Sequence, residues 1–157
     1  MKIKLIAIGK TDQEALNALI DVYQKRLKHY ITFDIEIIAD VKNAKSLSQQ
    51  QLKEKEGQLI LSKIQSGDVV VLLDEHGKQY RSVEFSNYLQ KKMNAATKQL
   101  VFVIGGAFGF SDEVYQAASE KISLSKMTFS HQMIRLFIVE QLYRSFTILK
   151  NEPYHHE

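Results

Sequence analysis

The chain predicts an α/β fold built on a mostly parallel sheet flanked by helices, and three observations carry that expectation. Apolar, β-branched runs alternate with longer amphipathic stretches along the whole sequence. Two of those runs, Asp68 to Leu73 and Leu100 to Ile104, are apolar almost without a break, the pattern of strands covered on both faces. A length of 157 residues, one proline and no long linker suit a single layered domain spanning residues 1–157.

The elements follow in order. Ile3 to Ile8 reads as a first strand, stopped by Gly9. Thr11-Asp12-Gln13-Glu14 has the form of a capping box, and the helix behind it carries Leu16, Leu19, Ile20, Tyr23 and Leu27 at helical spacing. Phe33 to Ile37 alternates strictly, as a half-buried strand does. Ser48 to Ile64 reads as a helix with Leu52, Leu59, Ile60 and Ile64 inward, and Gly67 stops it. The apolar run to Leu73 is the next strand, and Ser82 to Met93 the next helix, with Phe85, Leu89 and Met93 on one side. Leu100 to Ile104 is a strand that leads into Gly105-Gly106-Ala107-Phe108-Gly109. Ser111 opens a short helix, Ile122 to Ser125 is a weak last strand, and Ser130 caps a long helix from about His131 to Leu149.

Composition removes several function classes. Hydrophobic residues at 45% and charged residues at 25% are an ordinary globular mixture, which argues against disorder. With no cysteine there is no disulfide, no thiolate nucleophile and no cysteine zinc site. The longest apolar runs, such as Val69 to Leu73, fall far short of the ~20 residues that span a bilayer. Gly9-Lys10-Thr11-Asp12 ends the first apolar segment too early for a secretory signal, so a cytoplasmic protein without a membrane partner is expected. Lysine plus arginine exceed the acids by 21 − 18 = 3. Such a mild excess permits an RNA partner only through a local arrangement of cations.

The last helix is apolar around most of its circumference: Ile134, Leu136, Phe137, Ile138, Val139, Leu142, Tyr143 and Phe146. A helix of that kind needs cover on more than one side. A homodimer is expected to supply it; burial of the helix inside one chain is the alternative.

Ligands of open parallel sheets bind beyond the carboxyl ends of the strands. Three segments end strands there: Leu72 to Lys78, Ile104 to Gly109 and Leu124 to Phe129. The glycines of the second serve equally as a plain turn or as a surface that a ligand approaches closely. They lack the lysine of a P-loop and the order of a dinucleotide fingerprint. Neither a metal nor a Ser-His-Asp triad is expected, since His29, His76, His131, His155 and His156 have no ligand spacing and no G-x-S-x-G elbow is present.

Ser125-Lys126-Met127-Thr128-Phe129-Ser130-His131-Gln132, Glu140-Gln141-Leu142-Tyr143-Arg144-Ser145-Phe146 and Asn151-Glu152-Pro153-Tyr154-His155 resemble, in that order, the C-terminal signature of one family. Lys55-Glu56-Gly57, Ile104 to Gly109 and Gly9-Lys10 match its earlier motifs. The chain thus resembles, over essentially its whole length, the ribosomal large-subunit RNA methyltransferase H family of the SPOUT superfamily. Two departures are visible: Ser130 stands where the family commonly has proline, and Ala107, Phe108 and Phe110 are bulkier than the usual filling.

The resemblance implies a C-terminal trefoil knot, a homodimer, and no separate RNA-binding domain. It implies methyl transfer from S-adenosyl-L-methionine, without a metal, to N3 of a pseudouridine in 23S ribosomal RNA within the ribosome. Carried over by position, the cofactor-binding residues are Leu73, Gly105, Leu124, Ser125, Lys126, Met127, Thr128 and Phe129. Arg144, Tyr154 and His155 are the catalytic candidates: a cation for a phosphate or the developing anion, an aromatic for the base, and a proton acceptor. Plainer roles stand beside these. Arg144 follows Glu140 by four residues, the spacing of a helical ion pair, and Tyr154 could simply dock the tail. The competing function is a non-catalytic dimer that binds a nucleotide or docks on the ribosome.

Overall fold

The computed structural model describes residues 1–156. Five strands form one sheet in the order β2-β1-β4-β3-β5: β1 (Lys2–Ile8), β2 (Thr32–Ile38), β3 (Val69–Gln79), β4 (Gln99–Ile104) and β5 (Glu120–Ser123). Every neighbouring pair is parallel. The helices are α1 (Glu14–Leu27), α2 (Gln49–Leu61), α3 (Ser82–Asn94), α4 (Asp112–Ala117) and α5 (Met133–Leu149). None of them is long and apolar enough to cross a membrane.

The continuous apolar runs are explained by the layering. Ile3, Leu5 and Ala7 of β1 and Leu100, Phe102 and Ile104 of β4 face one core with α1, α3 and α5. Their sequence neighbours Ile6, Ile8, Val101 and Val103 face a second core closed by Ile60 of α2 and Val114 of α4. Both faces of the central strands are therefore dry, and Leu5, Phe102 and Val103 have no exposed surface at all. Truncating such a residue to alanine removes about 2–5 kcal/mol of stability.

Helix α5 finds most of its cover inside one chain. It lies on the sheet between α1 and α3, and Ile138, Val139, Leu142 and Phe146 are buried there. Its girdle of apolar residues is in that measure a central helix, the arrangement held above as the alternative. Leu136, Phe137 and Tyr143 stay half-buried, Phe137 against Phe129 and Tyr143 against Tyr23 and Tyr30.

Local expectations failed at three places, each because a longer-range contact prevails. Glu14 opens α1, but its N-cap is Gln13, without a side-chain cap bond. The Thr11 hydroxyl instead accepts from Arg135 Nη1 at 3.0 Å. Leu19 (49% exposed) and Leu59 (38%) point outward, while Glu56 and Gly57 take the inward side of α2. The strand expected to end at Leu73 runs on to Gln79 after a break in register: Leu73 and Lys78 both pair with Ile122. Gly77 makes this crossing possible, since a Cβ there would sit 2.5 Å from the Ile122 main chain. A capping box forms at α2: Ser48 Oγ accepts from Gln51 N and Gln51 Oε1 from Ser48 N.

Candidate active site

The carboxyl ends of three adjacent strands, β4, β3 and β5, open onto one cavity of about 590 Å³. That volume lies within the ~300–1,000 Å³ usual for small-molecule sites. Leu73 to His76 form one wall, Ile104 to Phe110 the floor, and Ile122 to Ser125 with Met127 to His131 the other wall. Seven of the eight expected cofactor positions line this space: Leu73, Gly105, Leu124, Ser125, Met127, Thr128 and Phe129. Lys126 is exposed and outside the lining.

The floor is shaped by what it lacks. A Cβ on Gly105 would come within 3.1 Å of the Phe110 ring and 3.3 Å of Gly109 O. Gly109 has φ of +79° and donates its N–H to Gly106 O at 3.2 Å, so the glycine segment closes as a tight turn. Phe110, bulkier than the family's usual filling, is buried beneath this turn and stacks edge-on with Tyr115. Ser130 Oγ accepts from Met133 N at 3.2 Å just ahead of α5, but the N-cap position falls to Gln132, without a side-chain cap bond, and not to the expected Ser130.

One polar link ties the two walls together, and a second ties the first wall to α4. Thr128 Oγ1 donates to Glu75 Oε2 at 3.2 Å. Tyr115 Oη donates to Asp74 Oδ2 at 2.5 Å, and His76 N–H to Asp74 Oδ1 at 2.8 Å. Burial works to raise the Asp74 pKa, yet these bonds and the Lys121 charge together hold it below the usual carboxylate value. The same contact, after burial, pushes Tyr115 up to about 12.

Arg135 secures the base of the site. It is only 2% exposed, and its guanidinium donates to Ile8 O at 2.6 Å, Gly9 O at 2.8 Å and His131 O at 3.1 Å. It therefore joins the end of β1 to the segment that enters α5. Sequence reasoning missed it, because a cation within an apolar helix offers no periodic signal.

Arg144, Tyr154 and His155 come together, though away from the cavity. Arg144 lies ten residues beyond Ile134, about 15 Å along α5. The tail folds back so that the Arg144 guanidinium lies over the Tyr154 ring, 4.7 Å from its centroid, and Nη1 lies 3.3 Å from His155 Nδ1. Since arginine only donates, Nδ1 is the acceptor, and a neutral ring carries its proton on Nε2. Glu140 is the hub: its Oε1 accepts from Arg144 Nη2 at 2.6 Å, Arg144 Nε at 3.1 Å and Tyr154 Oη at 2.9 Å. The ion pair expected from the spacing is thus present and also orients the other candidates. Burial, then Tyr23 and Glu140, pushes the Tyr154 hydroxyl well above its ordinary pKa.

The family described as predicted SPOUT methyltransferase matches residues 1–155. The chain belongs to that family. It is 68% identical to the ribosomal RNA large subunit methyltransferase H of Flavobacterium psychrophilum, over all of both chains. Its identity to the proteins of the same name from Christiangramia forsetii and Bacteroides thetaiotaomicron is 65% over 99% of each chain and 60% over 157 residues. Among SPOUT proteins it is therefore a methyltransferase H family member. A solved structure, a probable methylase family protein from Haemophilus influenzae, superposes with a TM-score of 0.52 at 13% identity, covering 99% of this chain and 70% of that one. At that identity the likeness speaks for the SPOUT fold alone.

Proposed function

We propose that the protein methylates 23S ribosomal RNA at N3 of a pseudouridine, using S-adenosyl-L-methionine and acting as a homodimer on the assembled ribosome in the cytoplasm. The observation that carries this is the cavity where three strand ends meet, together with full-length identity to proteins named for large-subunit ribosomal RNA methylation.

The cavity fits the donor. Leu73, Leu124, Met127 and Phe129 offer an apolar slot for adenine, and Gly105 admits the ribose or methionine part without a side chain in the way. The Asp74 and Glu75 carboxylates put negative charge beside a cationic ligand. S-adenosyl-L-methionine supplies an electrophilic methyl group when bound; the protein's part is alignment and exclusion of water.

The tail cluster provides the remaining roles. Arg144 faces the negative charge that develops as N3 loses its proton, Tyr154 holds the base, and His155 accepts the proton. Arg144 must leave Nδ1 as it turns to the anion, which frees that nitrogen for its task. Because the cluster is about 15 Å along α5 from the cavity of its own chain, the second subunit supplies the tail to each cavity. The apolar side chains of α5 that one chain leaves half-buried, Leu136, Phe137 and Tyr143 among them, are the surface offered for that pairing. The knotted path of the C-terminal segments belongs to the same proposal.

Incubation with S-adenosyl-L-methionine and ribosomes, followed by mass spectrometry of the RNA, tests the reaction: one new methyl group on one pseudouridine is expected. Gly105→Val separates catalysis from a docking-only role, since its branched side chain meets Phe110 and Gly109. Methylation should be lost while ribosome binding persists. Unmethylated RNA with the wild-type protein sinks the enzymatic assignment.

A further inference from the structure

Glu56 lies outside the chemistry described so far, yet its environment is unusual. It sits on α2, is only 7% exposed, and receives no hydrogen bond on its carboxyl group from any described residue. A largely shielded carboxyl group that no protein donor meets is disfavoured in its charged form. Burial, and then the charge of Asp40, accordingly raise its pKa. A leucine or methionine would fill the same space without that cost.

The carboxyl group stands directly behind the cavity floor. A Cβ placed on Gly106 would lie 2.4 Å from Glu56 Oε2 and 2.6 Å from Oε1. Gly106 lines the cavity, so the carboxyl supports the main chain from the side opposite the ligand space. The next residue, Gly57, is fitted equally closely: a Cβ there would lie 2.3 Å from Ser111 Oγ, the group that caps α4. The Glu56-Gly57 pair thus sets both ends of the segment from Gly106 to Ser111.

We propose that Glu56 is a positioning residue for the methyl donor: its carboxyl group, packed against the Cα of Gly106, fixes the height of the floor on which the donor lies. The role rests on the methyl-donor assignment above. It requires the size and planarity of the group, not its charge, because no cation or donor among the described residues meets it.

The test measures donor affinity by calorimetry, and KM and kcat on ribosomes, for wild type, Glu56→Gln, Glu56→Ala, Gly106→Ala and the double variant Glu56→Ala/Gly106→Ala. Glu56→Gln should keep donor KM within about threefold, whereas Glu56→Ala should raise it about tenfold with kcat nearly unchanged. Gly106→Ala should bind donor worse still, and the double variant should recover part of that loss, since removing the carboxyl frees the space for the new methyl group. Should Glu56→Ala not fold, the Gln variant and the comparison of Gly106→Ala with the double variant decide the matter. A wild-type protein that binds donor, with Glu56→Ala binding it equally well, overturns this role alone. Loss of affinity in Glu56→Gln, or a double variant worse than Gly106→Ala, overturns it also. A wild-type protein that binds no donor overturns the methyltransferase assignment and this role together.

Discussion

Glu140 and Arg144, one turn apart on α5, meet through a single carboxylate oxygen: Oε1 lies 2.6 Å from Nη2 and 3.1 Å from Nε. The pair is partly shielded, with 17% and 25% of the two side chains exposed, and the bond to Glu140 raises the Arg144 pKa against the opposing effect of burial. An isolated surface pair of this spacing contributes little. This one does more than pair charges, because the same oxygen also holds the Tyr154 hydroxyl.

Replacing Glu140 by glutamine keeps the shape and removes the charge. The charge-assisted bonds to Arg144 and Tyr154 weaken, a loss of about 1.5–3 kcal/mol of ordering. Turnover on ribosomes should fall roughly 10- to 100-fold, while donor affinity, set about 15 Å along the helix, stays at the wild-type value. Single-turnover kinetics and calorimetry on the same preparation check both halves. An equal loss in donor affinity would mean that the helix itself has shifted.

Tyr154 gives a prediction in pH. Burial and its bonds to Tyr23 and Glu140 disfavour the phenolate, so the hydroxyl keeps its proton throughout the neutral range. It can therefore donate a bond but cannot serve as the base. Tyr154→Phe should lower the rate and leave the shape of the pH–rate profile between pH 6 and 9 as it is in wild type. Disappearance of a limb of that profile in the variant would show that the hydroxyl titrates there.

Much of this architecture was legible in the sequence, and the reasons are physical. The strands of a parallel sheet covered on both faces must be apolar throughout, so Val69 to Leu73 and Leu100 to Ile104 declared themselves. Their carboxyl ends carry the ligand space of such sheets, which is why Leu73, Gly105 and the segment from Leu124 onward meet at one cavity. Hidden from view were the groups whose partners lie far along the chain. Arg135 bonds to Ile8 O across 127 positions, and that same arginine takes the Thr11 hydroxyl from the capping box it was expected to make. Glu56 stood out only as part of the Lys55-Glu56-Gly57 motif, and nothing in its spacing showed that it faces inward against Gly106. Local spacing registers neighbours within a turn or two and is silent about such contacts.

Asp74 and Tyr115 form a second pair whose titration can be followed. The Tyr115 hydroxyl, the His76 N–H and the Lys121 charge outweigh burial and lower the Asp74 pKa. A carboxyl group with a lowered folded pKa adds stability that is present above its unfolded value and lost as pH falls through the folded one. Tyr115→Phe removes a bond that favours the carboxylate, so the Asp74 pKa should rise and acid unfolding should begin at higher pH. Carboxyl-carbon NMR titration reads the first effect and circular dichroism the second. At the alkaline end the sign reverses. Tyr115, raised from 10.0 to about 12, loses its contribution as pH climbs through that interval, a loss that the phenylalanine variant should not show.

Arg135 carries the strongest stability prediction. Its guanidinium satisfies the carbonyl groups of Ile8, Gly9 and His131 and the hydroxyl of Thr11. Burial lowers its pKa, with Asp12 and Asp40 working in the opposite direction, so the charge is retained by a field that spans the end of β1. Arg135→Met would fill most of the volume and leave those acceptors without a donor. Each unmet acceptor costs about 1–3 kcal/mol, and partial hydration brings the total to roughly 3–5 kcal/mol. Urea unfolding should show the midpoint falling with an unchanged slope, because the loss is local and the surface exposed on unfolding stays the same. Donor affinity should drop as well, since His131 and Ile134 line the cavity and are held to β1 by this side chain. A variant as stable as the wild type would mean that water reaches those carbonyl groups and the arginine is dispensable.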